Sequence, residues 1–499
     1  MKDVIVLRSS GILMHISSLS SPYGIGTMGR SAREFVDFLV EAGQKYWQIL
    51  PICPTSYGDS PYQSFSTFAG NPYFIDFEKL EAEGLLYNSE YAETDWESTP
   101  DRVNYGVLYE KCYSILGIAT KRFLKNPPKK FDVFCKENSF WLDDYAMFMM
   151  LKWMNNGLSW MEWDEPLKKH DKVALTSLAE KYCDELLFWK VLQFFFFEQW
   201  NELHTYANNK GIDIIGDLPF YVALDSVDVW AHAELFQLDE NLNPTGVAGC
   251  PPDGFSATGQ LWGNPLFNWE EHERTNYEWW IQRIGYLCKI YNVLRIDHFR
   301  AFDSYYSIPY GDTDAARGQW NKGPGMKLFN MMEETIGRQR IIAEDLGFLT
   351  ESVKELLKQS GFPGMKVLEF GFDRRDDNND DYLPHNYVNN CVAYVGTHDN
   401  ETIYGWISSA DPEDIAHAKE YLRLEDPDNY HWDMMRVLWA TVANYTIVQA
   451  QDLLGLGNDC RMNTPSTLGG NWCWRALPGV FDKELALKLK KYMKLYRRI

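Results

Sequence analysis

Asn292-Val-Leu-Arg-Ile-Asp297-His-Phe-Arg300 is a short apolar run that breaks off at a carboxylate. Two further stretches share its form, Arg340-Ile-Ile-Ala-Glu344-Asp345-Leu-Gly347 and Cys391-Val-Ala-Tyr-Val-Gly-Thr-His-Asp399-Asn400. Each is an apolar segment of the kind buried in a parallel sheet, ending on an acid. Strand geometry alone asks for no acid there. A (β/α)8 barrel enzyme does, because its reacting groups stand where the strands run out at the C-terminal face. The chain therefore reads as α/β, a (β/α)8 TIM barrel with Asp297, Glu344 and Asp399 at its mouth.

Working outward, eight short β-rich segments fit barrel strands: 11–15, 46–50, 212–216, 293–296, 340–343, 365–370, 392–395 and 448–454. Helical patterns such as 31–41 and 350–360 fall between them, which implies parallel strands with right-handed crossovers. The gap between strands two and three breaks the rhythm. Residues 1–76 hold strands one and two, 77–205 form a mostly helical insertion, and 206–499 carry strands three to eight. Within the insertion, Trp141, Leu142, Tyr145, Phe148 and Met149 recur at helical spacing, an aromatic stripe that reads as inter-helix packing. A Gly- and Pro-rich stretch at about 225–268 follows strand three. So long a loop in a compact domain needs a task, and an active-site loop is expected.

At 499 residues the chain suits a barrel of ~250 residues plus insertions. A formal charge of −22 excludes nucleic acid and anionic membrane as partners, since both call for a basic face. It leaves a neutral polymer open. The nine cysteines are scattered with no CxxC pair and read as thiols in a reducing compartment. The N-terminus lacks a signal-peptide pattern, and the greasiest run, 186–198, is broken by polar residues. A soluble cytoplasmic protein is expected. No His or Cys cluster and no calcium-loop pattern occurs, so neither metal nor cofactor is expected.

Carboxylates without a metal cluster point toward cleavage of a glycosidic bond. Arg295 and Asp297 lie two apart on a strand and face the same way, while Ile296 and His298 face the other. A guanidinium beside Asp297 favours its ionised form, as a nucleophile requires; a purely structural ion pair is the other reading. Glu344 closes an apolar strand, where a raised pKa suits a general acid. Asp345 is the better candidate for capping the next helix. Strands four and five are barrel neighbours, so their acids can approach the ~5–5.5 Å typical of retaining enzymes. Asp399, after His398, faces them across the mouth, and Asp217 ends strand three in the same manner. Ser60 and Tyr62 after strand two offer hydroxyls and a ring. The stretch 251–265 offers Phe255 and Trp262 as stacking surfaces beside the Gln260 amide.

These motifs together resemble the 4-α-glucanotransferases (amylomaltases, disproportionating enzymes) of glycoside hydrolase family 77. The likeness runs from Gly11-Ile-Leu-Met-His15 to Arg461-Met-Asn463-Thr-Pro465-Ser-Thr-Leu-Gly-Gly470-Asn-Trp472. It is carried by Gly58-Asp-Ser-Pro-Tyr62-Gln-Ser-Phe65, Gly216-Asp-Leu-Pro219, Leu294-Arg-Ile-Asp297-His298, Ile342-Ala-Glu344-Asp-Leu-Gly347 and Gly396-Thr-His-Asp399-Asn400. The resemblance implies Asp297 as nucleophile, Glu344 as acid/base and Asp399 as transition-state stabiliser. It implies sugar contacts from Ser60, Tyr62, Asp217, Phe255, Gln260, Trp262, Arg295, Phe370, His398, Asn463 and Pro465. It also implies a barrel with inserted subdomains and no C-terminal β-domain. The substrates implied are α-1,4-glucans and maltooligosaccharides, with glucose or another glucan as acceptor and possible closure to cyclic products. Gly254 departs from members that carry a bulkier residue there, often Tyr, and this bears on how the loop closes over the acceptor. Two alternatives stand beside transfer: an α-1,4-glucan hydrolase using the same acids, and a silent glucan-binding protein on the same fold.

Overall fold

The computed structural model describes residues 8–56, 58–252, 258–347, 349–375 and 379–499. Eight parallel strands form one sheet: Ser9–Leu13, Tyr46–Gln48, Asp213–Leu218, Val293–Ile296, Ile341–Ala343, Gly364–Val367, Cys391–Tyr394 and Tyr445–Gln449. Each but the fifth pairs with the next in the chain, and the first pairs with the last in the register Ser9↔Tyr445. Between the fifth and sixth strands, Ala343 N–H donates to the Pro363 carbonyl at 3.0 Å and closes the ring. The result is a (β/α)8 barrel. Its strands are buried on both faces, which explains runs such as Cys391-Val-Ala-Tyr394 without polar alternation.

Two strand expectations and one helix-cap expectation shift in ways that matter. The eighth strand spans Tyr445–Gln449 rather than 448–454, and Ala450–Leu453 is already helical. Tyr445-Thr-Ile-Val carries the β-branched side chains, whereas Asp452 is drawn off the sheet to accept the Ile403 N–H at 2.8 Å. The sixth strand stops at Val367, and Leu368–Phe372 turn as a 3-10 segment, taking Phe370 off the strand. Asp345 does not cap the next helix. Thr350 caps Glu351–Ser360, while Asp345 accepts the Met365 N–H at 2.6 Å and so ties the fifth strand to the sixth.

Between the second and third strands stand the helices Tyr105–Phe123, Ser139–Met154 and Cys183–Asn209. The last runs unbroken through position 205, so its C-terminal half also serves the barrel wall. Ser139–Met154 is buried well beyond its aromatic stripe, at Ala146, Met147, Met150 and Leu151 too. It lies between the Cys183–Asn209 helix and the segment after strand three, with Trp141 against Phe197 on one side and Phe148 against Trp230 on the other. The 225–268 stretch holds regular structure. Gly246–Cys250 and Gln260–Pro265 pair antiparallel, and Ser304–Pro309 and Gln319–Lys322 extend them into a four-stranded sheet beside the mouth. Phe255 and Gly254 lie outside the described residues.

Candidate active site

Strand register assembles the acids. Asp217 on the third strand pairs directly with Arg295 on the fourth, and Ile296 pairs with Ala343 on the fifth. One residue beyond that pair, Asp297 and Glu344 therefore stand side by side. The Arg295 guanidinium donates to both Asp217 oxygens at 2.8 and 2.7 Å and reaches Asp297 Oδ1 at 2.9 Å. The Arg295 and Asp217 side chains are 4% and 1% exposed, but that of Asp297 is 29% exposed. Arg295 is thus the buried support and Asp297 the group facing the cleft.

Glu344 is held by backbone. Its Oε2 accepts from His298 N–H and its Oε1 from Leu346 N–H, both at 2.7 Å. His298 has φ 51°, a left-handed conformation uncommon for a residue with a side chain, and this turns its N–H toward Glu344. The same turn lays its ring edge-on to Trp262 at 4.9 Å. Strand alternation therefore fails at His298, which was expected to face away from Asp297. Its role at the mouth escapes any reading based on extended backbone.

The third acid belongs to a separate cluster. Asp399 Oδ1 accepts from Asn463 Nδ2 at 2.6 Å, and its carbonyl accepts from Arg461 at 2.5 Å. His398 Nε2 lies 3.4 Å from Asp399 Oδ2, and its ring stacks on Tyr62 at 5.2 Å and 9°. The Tyr62 hydroxyl donates to Asp217 Oδ2 at 2.7 Å and so links the two clusters. Trp472 packs against both rings, at 5.8 Å from Tyr62 and 5.9 Å from His398. Arg461 and Trp472 are positioning residues whose task the sequence did not disclose, since their partners lie some sixty to four hundred positions away. Ser60 Oγ accepts the Tyr62 N–H at 3.2 Å and fixes that turn. Gln260 Oε1 accepts from Trp262 Nε1 at 3.0 Å. Phe370 packs edge-on to Tyr382, and Pro465 is exposed two residues beyond Asn463.

Burial pushes the carboxyl pKa of Asp297 well up, and the negative charges of Glu344, Asp217 and Asp399 add to it; Arg295 opposes. The Glu344 carboxyl is also pushed up by burial, against Arg295 and its two N–H donors. Arg295 therefore does not act alone on Asp297, as the strand pairing by itself suggested. Two acids raised together in one site favour a state in which they share a proton. Burial lowers the pKa of His398, leaving it neutral, and drives that of His298 down to about 3. The Tyr62 phenol is pushed well up by burial and then by Asp217, so it stays a donor. Among the described residues no group of three or more His, Cys, Asp or Glu is placed to hold a metal ion.

A (β/α)8 barrel with neighbouring carboxyls, a buried guanidinium and aromatic rings at its mouth has the form of a barrel enzyme that works through carboxylates. Comparison with known proteins narrows this. Residues 14–479 match the family description 4-alpha-glucanotransferase, glycoside hydrolase family 77. The chain is 50% identical over 487 residues to a 4-alpha-glucanotransferase of Clostridium butyricum, covering 97% of this chain and 100% of the relative. It is 46% identical over 495 residues to one of Streptococcus pneumoniae, covering 99% and 98%. Its fold superposes on the solved amylomaltase from Streptococcus agalactiae in complex with acarbose with a TM-score of 0.96 at 44% identity, covering 98% and 99%. The chain belongs to the 4-α-glucanotransferase family and is a transferase enzyme of that kind.

Proposed function

We propose that the enzyme transfers segments of α-1,4-glucan to the 4-hydroxyl of glucose or another glucan, with retention, through a covalent glycosyl-enzyme. Asp297 attacks the anomeric carbon as the bond from that carbon to the leaving 4-oxygen breaks. Glu344 gives its proton to that oxygen. The acceptor hydroxyl then loses its proton to Glu344 and displaces Asp297, and two inversions make retention. Asp399, with Asn463 and His398 around it, receives hydroxyls of the distorted ring. The observation that carries the reading is the Asp217–Arg295–Asp297 chain beside a Glu344 carboxyl fixed by two backbone N–H groups.

The ion pair to Arg295 stabilises the Asp297 carboxylate, so the shared proton is assigned to Glu344. Water exclusion decides between transfer and hydrolysis. Trp262, rigidly placed on a sheet strand and braced by Gln260 and His298, favours a sugar hydroxyl as acceptor. Closure of a long chain onto its own 4-hydroxyl would give cyclic products by the same step. The nine cysteines, scattered with no CxxC pair, support a reducing, cytoplasmic setting; among the described residues no helix is long and apolar enough to cross a membrane.

Maltotriose as sole substrate tests the proposal. Glucose together with a ladder of longer maltooligosaccharides is the expected outcome. Maltose and glucose with nothing longer would establish hydrolysis instead, and no turnover would leave only binding.

A further inference from the structure

A cavity of about 440 Å³ lies between the loops that leave the fourth and fifth barrel strands, and the chemistry described so far does not use it. That volume is within the ~300–1,000 Å³ of ordinary ligand pockets. One wall is the 3-10 turn Phe299–Phe302, which begins two residues after Asp297. The opposite wall is the edge strand Gln319–Lys322 of the small sheet, and the floor comes from Thr350 and Ser352 after Glu344. The cavity therefore opens off the two loops that present the nucleophile and the acid.

Its dominant surface is Trp320. The indole is 42% exposed, unusual for so large a ring. It is held rigidly all the same: the Arg300 guanidinium stacks 3.9 Å from its centroid, and Tyr306 meets it edge-on at 5.2 Å. Asp303 Oδ2 accepts from Ser304 Oγ at 3.0 Å and from Ser352 Oγ at 2.9 Å, so the polar floor is also ordered. The lining includes two cations, Arg300 and Lys322, and one anion, Asp303. A mixed set of this kind suits a neutral polyhydroxy ligand better than a phosphate. A fixed, half-exposed indole with hydrogen-bonding groups around it offers a sugar ring one apolar platform and partners for its hydroxyls.

We propose that this cavity is a glucan subsite, in which Trp320 carries the acceptor chain several sugar units beyond the bond that reacts. The inference rests on the transfer reading above. It follows from place in the fold: the cavity is lined by the turn Phe299–Phe302 and by Thr350 and Ser352, which come a few residues after Asp297 and Glu344, so it lies on the flank of the acid that protonates the leaving oxygen, where the leaving chain departs and the acceptor returns. A short acceptor ends before Trp320; a long one reaches it.

The test uses the Asp297→Asn protein, which binds without turning over, with and without Trp320→Ala. Calorimetric titration with maltoheptaose should show at least about a fivefold weaker Kd when Trp320 is removed, while maltotriose stays within about twofold. In the active enzyme, Trp320→Ala should raise KM for maltoheptaose as acceptor by a similar factor at nearly constant kcat, and Trp320→Phe should recover most of it. Equal losses for both sugar lengths, or no loss for either, would overturn the subsite. Displacement of maltoheptaose by millimolar inorganic phosphate would also overturn it, in favour of an anion site. Should Trp320→Ala melt early, Lys322→Ala at the cavity rim gives the same comparison, with a length-dependent loss of about two- to threefold expected and equal losses again counting against the proposal. Failure of the transfer reading looks different: the wild-type protein would make no ladder from maltotriose, whatever the length dependence at Trp320.

Discussion

Arg295 is the residue from which the mouth is organised, because its single guanidinium touches Asp217 and Asp297 at once. Replacing Asp297 by Asn keeps the shape and removes the charge that the proposed mechanism uses to attack. Transfer from maltotriose should then fall by at least about a thousandfold with the melting temperature little changed; a tenth of wild-type activity surviving would sink the nucleophile assignment. Glu344→Gln separates proton transfer from the rest. A glycosyl fluoride needs little protonation to depart, so formation of the glycosyl-enzyme from it should survive far better than from maltotriose. Equal loss with both donors would mean that Glu344 serves some other end. The pH profile offers a third reading. As the proposed nucleophile Asp297 must be ionised, and burial with three neighbouring acids raises its carboxyl pKa. Activity should therefore decline on the acid side well above the ~3.9 of an ordinary Asp; kcat/KM unchanged down to pH 4 would contradict this.

At the scale of elements, strands ending in acids were legible because buried parallel strands have one simple pattern, and all eight segments overlap real strands. What escaped had its cause in distant partners. Gly246–Cys250 and Gln260–Pro265 lack a strong strand pattern, and they pair because Ser304–Pro309 comes alongside. The 448–454 expectation counted Leu453 and Leu454 as strand, whereas the Asp452–Ile403 contact bends that stretch into a helix. His298 was misjudged because alternation assumes extended backbone and its φ is positive. The helix Trp269–Arg274 shows what such packing costs. His272 on it is fully buried against Phe267, Trp269 and Trp279. Burial drives its pKa down to about 4. The folded protein then binds fewer protons than the unfolded chain between pH 6.5 and 4, so stability is lost as pH falls through that window. His272→Phe fits the aromatic surroundings and cannot charge. Between pH 7.5 and 4.5 the variant should gain roughly 2.5 kcal/mol on the wild type in urea unfolding. A constant difference across that range would show that His272 does not carry the acid sensitivity.

For the whole molecule, the barrel must close before any acid at its mouth is in register, and the seam joins the first strand to the last. Ser9↔Tyr445 begins that pairing at the end remote from the site. Arg498, only 2% exposed, is fixed across it. Its Nε donates to the Trp439 carbonyl at 2.9 Å, Nη1 to those of Ser9 and Ala443 at 3.2 and 3.1 Å, and Nη2 to that of Thr441 at 3.2 Å. Among the described residues no carboxylate shares in this, and burial accordingly lowers the guanidinium pKa to about 9. The residue clasps four backbone oxygens, of which that of Trp439 also accepts from Arg8 Nη2 and that of Ser9 from Thr446 Oγ1, while those of Thr441 and Ala443 depend on it. Arg498→Ala strands those two, and a buried acceptor left unmade costs about 1–3 kcal/mol. A loss of about 2–4 kcal/mol is expected in the urea midpoint at unchanged m, since some carbonyls will find water. Lysine, a single point of charge without the planar fork, should restore less than half. Because conserving the N-terminal face serves stability and the C-terminal face chemistry, kcat on maltotriose at 25 °C should stay within about twofold of wild type in both variants. An unchanged urea midpoint, or a large fall in kcat while the protein remains folded, would break this separation between the clasp at one end of the barrel and the acids at the other.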